Sequence, residues 1–267
     1  MSYLCAKGIT AGYGKQPVIV DINFQLEAGR LMGVIGANGS GKTTLLKALC
    51  GILPHEGSCT LDGEALEKLP ARQMARRVSY IPQRSGIAID ISVLDVVLMG
   101  FNPRLGLLEH TTRAMREAAL AALTQVGLAD KAQENYLHLS EGQKQLCILA
   151  RTLVSDSKLL LLDEPESALD FRFRHRMLAL LRRWVADGRR SAVVTLHDPS
   201  LALNCCDQLL LLGSSGILGM IEPQTMPLEQ MEQLLGQVYG GINLQRCCNR
   251  RGETQIVMLR EDEPCGL

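Results

Sequence analysis

The segment Gly36-Ala37-Asn38-Gly39-Ser40-Gly41-Lys42-Thr43-Thr44 matches the pattern G-x-x-x-x-G-K-[ST] at every fixed position. Residues 30–35 before it are typical of a short buried strand, and residues 43–50 after it have apolar side chains at helical spacing. A glycine-rich loop between a strand and a helix presents backbone N–H groups and the positive end of the helix dipole to an anion. The segment and its context therefore predict a nucleoside triphosphate site rather than a chance glycine-rich turn.

Two side chains of this loop have specific predicted contacts. Lys42 is expected to reach the β- and γ-phosphates, and the hydroxyl of Thr43 is expected to hold Mg²⁺. The residues predicted to surround the phosphates are Gly36, Asn38, Gly39, Ser40, Gly41, Lys42, Thr43 and Thr44.

Two carboxylates follow the apolar strand predicted at residues 158–162. In a P-loop fold this strand is expected beside the phosphate loop, so that Asp163 can hold Mg²⁺ through water. Glu164 can then orient or deprotonate the attacking water. Two solvated acids at the end of a buried strand are the alternative, and the phosphate loop favours the catalytic interpretation.

The segment Leu139-Ser140-Glu141-Gly142-Gln143 precedes a helix predicted at residues 140–154. Ser140 is a natural N-cap, Gln143 completes a capping box, and Gly142 lets a phosphate approach the backbone. Taken alone, this segment would indicate an ordinary well-capped helix.

The order of predicted elements indicates an α/β protein with one domain over residues 1–267. Strands and turns predominate up to residue 87, helices between about residues 88 and 153, and alternating strands and helices from residue 154 onward. The predicted division is therefore a nucleotide-binding core at 1–87 and 154–267, which includes a C-terminal extension, and an inserted helical part at 88–153.

The composition narrows the functional classes. Lys plus Arg and Asp plus Glu both number 28, and this zero net charge argues against broad electrostatic capture of nucleic acid. The nine cysteines include no C-x-x-C pair, which favours a reducing cytoplasm over a disulfide framework. The sequence begins without a signal-like pattern, and no apolar run approaches the roughly 18 residues of a membrane span. We therefore expect a soluble protein that reaches a membrane only through a partner.

In order and approximate spacing, these motifs resemble those of ABC-type ATPases, and the resemblance covers nearly the whole chain. The matching features are the phosphate loop, Gln83 after a strand, the L-S-x-G-Q signature, the strand ending in Asp163-Glu164, Ser167-Ala168-Leu169-Asp170, and Leu196-His197-Asp198. The resemblance implies a P-loop NTPase core with an antiparallel β-subdomain and an inserted helical subdomain. It also implies ATP as the nucleotide.

The resemblance assigns further roles to individual residues. Gln83 would contact Mg²⁺ and the water, His197 would contact the γ-phosphate, and Tyr13 would stack on adenine or, alternatively, only pack the turn. The implied catalytic residues are Lys42, Gln83, Glu164 and His197, the implied Mg²⁺ ligands are Thr43, Gln83 and Asp163, and the nucleotide site is implied to include Tyr13, Ser140, Gly142, Gln143 and Asp170.

The resemblance also implies partners and a location. In this family, the signature of one subunit completes the site formed by the phosphate loop of another, in a head-to-tail dimer. The segment at residues 91–106 is similar to that of importers for iron-siderophores, haem or cobalamin, although Phe101 and Arg104 depart from the usual form. Such a chain would dock permease subunits near residues 99–107, work with a substrate-binding protein, and lie at the cytoplasmic face of the membrane. An exporter subunit and a non-transport ABC ATPase are the alternatives.

Two residues depart from the family pattern. Glu141 replaces the usual glycine of the signature, and Glu166 replaces the usual threonine after Glu164-Pro165. Both are expected to add negative charge near the triphosphate. The side chain of Glu141, between the capping Ser140 and the close-approach Gly142, is expected to project into solvent.

Overall fold

The computed structural model describes residues 3–14, 16–83, 86–106, 108–167, 169–214, 216–250 and 252–260. The strands are β1 Leu4–Tyr13, β2 Gln16–Leu26, β3 Leu31–Gly36, β4 His55–Leu61, β5 Glu64–Ala65, β6 Val78–Ile81, β7 Leu159–Leu162, β8 Ser191–Thr195, β9 Gln208–Leu212, β10 Ile217–Ile221, β11 Ile242–Cys248 and β12 Thr254–Arg260. The helices are α1 Lys42–Leu49, α2 Ala71–Arg77, α3 Val93–Leu98, α4 Arg113–Val126, α5 Glu141–Ser155, α6 Phe171–Val185, α7 Pro199–Cys205 and α8 Leu228–Tyr239.

The central sheet has the strand order β10-β9-β3-β8-β7-β6, and only β10 runs antiparallel to its neighbour. Both faces of this sheet are covered. In β7, Leu160 and Leu162 join the hydrophobic core on one face, whereas Leu159 and Leu161 join the core on the other. A strand buried on both faces must be apolar throughout, which explains the leucine run. The carboxyl ends of the parallel strands meet at one edge, where the predicted site residues follow them.

A second, antiparallel sheet has the order β2-β1-β4-β5 and shares a hydrophobic core with α1 on one face of the central sheet. Helices α3, α4 and α5 follow one another between β6 and β7 and contribute to the core on the opposite face. This architecture has the antiparallel β part and the inserted helical part that the sequence predicts. The residue boundaries of the predicted division remain a prediction.

The order of strands adds one detail to the expectation for β7. Strand β8 lies between β3 and β7 in the sheet and pairs in parallel with both. The end of β7 nevertheless reaches the phosphate loop, because the Thr43 hydroxyl donates to Asp163 at 3.0 Å.

The sequence prediction lacks the two-residue strand β5 and three longer elements. Helix α2 has no buried residue, so it offers no apolar periodicity. Strand β11 buries only Leu244, and it forms a hairpin with β12 in which Leu244 pairs with Met258. Helix α7 has Asp198 as its N-cap and Pro199 at its first position, a start signal that could have been used.

The helix start at Ser92, where Ser92-Val93-Leu94-Asp95 has the S-x-x-D form of a capping box, makes only one of the two contacts of that motif. The Ser92 hydroxyl accepts the N–H of Asp95 at 3.1 Å. The Asp95 carboxylate, however, accepts from the Ser92 hydroxyl at 2.6 Å, whereas in a capping box it accepts from the backbone N–H of the cap residue.

The predicted docking segment is held by contacts within the chain. Arg72 and Arg76 donate to the carbonyl of Pro103 at 3.1 and 2.8 Å. Phe101 is buried and Met99 is half-buried, whereas Leu107, which was also expected at the docking surface, lies outside the described residues. In the part of the chain that the structure describes, no helix combines the length and the apolar character needed to cross a bilayer.

Two helical glycines should respond to alanine in opposite directions. A methyl group at Gly100 would lie 2.2 Å from the carbonyl oxygen of Arg151, whereas one at Gly236 would meet nothing within 4 Å. We expect Gly100→Ala to lower the free energy of unfolding by about 1–3 kcal/mol, because the added methyl group would overpack the contact between Gly100 and Arg151. Gly236→Ala should raise it by about 0.4–1 kcal/mol because the unfolded chain loses entropy. Urea denaturation measures both, and equal shifts of the same sign would contradict this packing.

Candidate functional site

The phosphate loop between β3 and α1 is fixed by close backbone packing. Gly39 and Gly41 have φ values of 82° and 94°, in the left-handed region that favours glycine. A Cβ at Gly41 would lie 2.4 Å from Cγ2 of Ile19 on β2. A Cβ at Gly36 would lie 2.3 Å from the carbonyl oxygen of Leu212 at the end of β9. Two neighbouring strands thus determine where the loop lies, and larger residues at these glycines would displace it.

The polar groups of the loop fit an anionic ligand. The Lys42 ammonium donates to the carbonyls of Gly36 and Ala37 at 2.9 and 3.2 Å. Burial lowers the pKa of Lys42, and the nearby carboxylates of Glu164 and Asp163 act in the opposite direction. The hydroxyl of Ser40 is buried and has no hydrogen-bond partner within the described residues. A phosphate oxygen is the kind of acceptor that would satisfy this donor.

The carboxylate of Asp163 is buried, with 3% of the residue exposed, and three hydroxyl groups donate to it. Thr43 and Thr195 donate to Oδ1 at 3.0 and 3.1 Å, and Tyr80 donates to Oδ2 at 3.2 Å. Two adjacent ligands of an octahedral Mg²⁺ lie about 3 Å apart, so the oxygens of Thr43 and Asp163 fit one ion that also keeps several waters.

The carboxylate of Glu164 brings together the segments that follow β6, β7 and β8. Its Oε2 accepts from Nε2 of Gln83 at 2.7 Å, and its Oε1 lies 2.7 Å from Nε2 of His197. Its backbone N–H donates to the hydroxyl of Thr195 at 2.7 Å. Glu164 has a φ of 47°, which is uncommon for a residue with a side chain and often accompanies a functional position. This arrangement can hold a water molecule beside a phosphate and accept a proton from it.

Three residues of this network are absent from the sequence prediction. They are Tyr80 and Thr195, which contact Asp163, and Gln145 of α5, whose side-chain amide donates to the carbonyl of Gln83. Thr195 lies in a strand predicted only from its apolar character, and its polar side chain at the strand end was the one available signal. Tyr80 and Gln145 lie in segments whose patterns predict only a strand and a helix.

The signature residues lie in a separate pocket of about 360 Å³, lined by Ser140, Glu141, Gly142, Gln143, Leu146, Leu169, Asp170 and Phe173. The predicted capping box is confirmed, because the Ser140 hydroxyl accepts from Gln143 N at 3.3 Å and Gln143 Oε1 accepts from Ser140 N at 3.0 Å. Asp170 accepts from the N–H of Phe173 at 2.9 Å and caps α6. Ala168, in the same predicted motif as Asp170, lies outside the described residues.

The phosphate-loop pocket, of about 300 Å³, is lined by Tyr13, Val18, Asn38, Gly39, Gly41, Lys42, Thr43, Thr44 and Glu164. Among the residues that the structure describes, none lines both this pocket and the signature pocket. The structure therefore brings the phosphate loop together with Gln83, Asp163, Glu164 and His197. Within one chain it does not bring Ser140, Gly142, Gln143 or Asp170 into that site.

Tyr13 borders the phosphate-loop pocket and is 55% exposed. Its hydroxyl accepts from the ammonium of Lys47 at 3.4 Å, and this ammonium lies 5.8 Å from the centre of the ring. The exposure leaves ring surface for a base to stack on, which supports the predicted contact with adenine over a purely packing role.

The two unusual glutamates occupy opposite environments. The Glu141 side chain is 70% exposed and pairs with the Lys144 ammonium at 2.8 Å, and it projects toward solvent as expected. Glu166 is only 2% exposed, and burial raises the pKa of its carboxyl group. Burial therefore works against the negative charge that was expected at Glu166.

Comparisons with known proteins agree with this geometry. A family model described as ABC transporter matches residues 19–167. The hemin import ATP-binding protein HmuV of Pseudomonas entomophila is 40% identical over 215 residues, which cover 78% of this chain and 82% of that protein. The manganese transport system ATP-binding protein MntB of Bacillus subtilis is 37% identical over 207 residues, which cover 76% and 80%.

Solved structures confirm the predicted fold class. A chain of an inward-facing ABC transporter assigned to the metal-chelate type superposes with a TM-score of 0.81 at 26% identity, covering 98% of this chain and 99% of that one. A nucleotide-free ATP-binding cassette from another ABC transporter has a TM-score of 0.78 at 21% identity.

The hydroxyl of Thr195 should matter for turnover. In Thr195→Val, Asp163 loses a donor and the N–H of Glu164 loses its acceptor. A hydrogen bond to a charged group contributes about 1.5–3 kcal/mol, so we expect kcat for ATP hydrolysis to fall by at least about tenfold. Thr195→Ser keeps the hydroxyl and is the matched control. If valine and serine variants turned over ATP equally well, the hydroxyl would have no role in catalysis.

Replacing Glu141 should have a small effect. Its carboxylate is exposed and neutralised by Lys144, and exposed charges about 8 Å apart are largely screened at physiological salt. We expect Glu141→Gly to change the hydrolysis rate by less than about tenfold, or roughly 1.4 kcal/mol in the barrier. Rates are compared at low and high salt. A much larger acceleration that fades with added salt would show that Glu141 faces the phosphate.

Proposed function

The chain belongs to the ABC transporter family, and we propose that it is the ATPase subunit that powers an importer of an iron-siderophore, haem or a related metal chelate. Binding and hydrolysis of ATP follow from the family itself. The observation that carries the proposal is the similarity, along most of the chain, to subunits named for hemin import and manganese transport. The assignment of a metal chelate as the solute carried by this chain's transporter is our proposal.

The described contacts support a role for each residue around the phosphates. Lys42 and the loop N–H groups would bind the β- and γ-phosphates, and Tyr13 would stack on adenine. Thr43 and Asp163, with Gln83, would hold Mg²⁺, which neutralises phosphate charge when bound. The three hydroxyls that already donate to Asp163 orient its oxygens for this task.

Glu164 would act on the attacking water. Its carboxylate is held from two sides, by Gln83 and by His197, so its oxygens cannot rotate freely. One oxygen would orient the water and accept its proton, while His197 contacts the γ-phosphate. Because Gln145 of the signature helix holds the backbone of Gln83, a movement of the helical insertion would be transmitted to this pair.

A second copy of the chain would complete the site. Ser140, Gly142 and Gln143 lie at a helix N-terminus, which favours an anion, yet they line a pocket apart from the phosphate loop. In a head-to-tail dimer with two-fold symmetry, each signature pocket would face the nucleotide of the other subunit. Asp170, which lines the same pocket, would lie at this interface.

Permease subunits and a substrate-binding protein would supply the transport path. The subunit would associate peripherally with the cytoplasmic face of the membrane through its helical insertion, near residues 99–107. The predicted division into a core and an inserted helical part, with a boundary near residues 88 and 153, matches this separation of nucleotide binding from docking.

Transport by the assembled system tests the proposal. The tagged chain is purified with its permease from detergent-solubilised membranes and reconstituted into vesicles whose lumen contains the binding protein. With ATP on the subunit side, haem, Mn²⁺ or a ferric siderophore should leave the lumen and appear on that side. The matched control, Glu164→Gln, should bind ATP but transport nothing, because the water lacks its base.

Each other result contradicts the proposal in a distinct way. Movement of solute from the ATP side into the lumen would identify an exporter. Copurification of no membrane protein would favour a non-transport ATPase. Transport of a metal-free solute alone would reject the cargo class while leaving import intact, and transport by Glu164→Gln would reject the role of that residue.

A further inference from the structure

The buried side chain of Glu166 contacts the backbone of the histidine that pairs with Glu164. Its Oε1 accepts the N–H of His197 at 2.9 Å, and the residue is 2% exposed. Nε2 of the same histidine lies 2.7 Å from Oε1 of Glu164. Glu166 thus acts on the backbone of His197, while the imidazole of His197 contacts Glu164.

The backbone of Glu166 also belongs to the turn that leads to the signature pocket. Within this turn, the N–H of Ser167 donates to the carbonyl of Glu164 at 3.1 Å, and the N–H of Leu169 donates to the carbonyl of Glu166 at 3.0 Å. Leu169 and Asp170, at the end of the turn, line the signature pocket. Glu166 is therefore attached to Glu164, to His197 and to the segment that lines the second pocket.

The environment of the Glu166 carboxyl favours the neutral acid. Its Oε2 is buried and has no hydrogen-bond partner among the described residues. Burial is the largest cause of the raised pKa of Glu166, and the carboxylate of Glu164 raises it further, while the contact with His197 opposes both. A neutral amide can therefore replace this group, since it keeps a carbonyl-type acceptor for the N–H of His197.

We propose that Glu166 is a positioning residue for ATP hydrolysis, whose hydrogen bond to the N–H of His197 fixes the imidazole against Glu164. This proposal rests on the catalytic roles proposed above for Glu164 and His197. Because the carbonyl of Glu166 accepts the N–H of Leu169, which lines the signature pocket, Glu166 also fixes that segment relative to the catalytic pair. Glu166 is buried and is not among the described residues that line the phosphate-loop pocket, so its effect falls on turnover rather than on binding.

Two substitutions of similar size separate positioning from a structural role. Glu166→Gln keeps the acceptor, and we expect its kcat to stay within about threefold of the wild type. Glu166→Leu removes the acceptor but fills the site with apolar atoms. We expect its kcat to fall by about tenfold, equivalent to about 1.4 kcal/mol. Its KM for ATP should not change. Its thermal midpoint should not fall, because a buried oxygen without a partner has also been removed.

The purified full-length chain is assayed for ATP hydrolysis and thermal unfolding, with Glu164→Gln as a reference. Loss of kcat in the leucine variant, recovery in the glutamine variant and unchanged KM support positioning. A leucine variant as active as the wild type, beside an inactive Glu164→Gln, would overturn this inference alone. An active Glu164→Gln would overturn the proposed catalytic roles and this inference with them. Equal losses in both Glu166 variants, or a lower thermal midpoint that parallels activity, would show a structural role instead.

Discussion

The arrangement of the site depends on the buried carboxylate of Asp163. A carboxyl group removed from water loses its hydrogen bonds to water, and other hydrogen bonds must compensate for them. Here the compensating hydroxyls come from Thr43 of α1, Tyr80 of β6 and Thr195 of β8, so three elements distant in sequence must meet at one point. The parallel strand order β3-β8-β7-β6 satisfies this requirement, because the carboxyl ends of its strands lie side by side.

The position of Glu164 follows from that of Asp163. The chain turns sharply after β7, with Glu164 at a φ of 47°, a conformation that costs of order 1–2 kcal/mol for a residue with a side chain. The hydroxyl of Thr195, which donates to Asp163, also accepts the N–H of Glu164 and stabilises this turn. The Glu164 side chain then lies between Gln83 and His197. One threonine thus links the predicted metal ligand to the predicted base, and the local strain is offset by hydrogen bonding.

Local patterns predicted most elements and the residues of the phosphate site, whereas contacts between distant segments were harder to predict. The phosphate loop, the leucine strand before Asp163 and the capping box at Ser140 each have a short pattern with a direct physical cause. Nothing local indicates that β8 separates β3 from β7, since strand order depends on how the chain crosses over. Thr195 was missed for this reason. The exposed helix α2 and the weakly buried strand β11 were missed because they bury too little apolar surface to produce periodicity.

Glu141 and Glu166 show why residue type alone does not determine charge at a site. Both are acids in motifs that face a polyanion, and the sequence gives no reason to treat them differently. The helix start at Ser140 directs Glu141 into solvent, where its carboxylate pairs with the Lys144 ammonium at 2.8 Å. The turn after Glu164 directs Glu166 inward, where desolvation raises the pKa of its carboxyl group and one backbone donor only partly opposes this. The same residue type therefore lies in an exposed, screened environment in one motif and in a desolvated environment in the other.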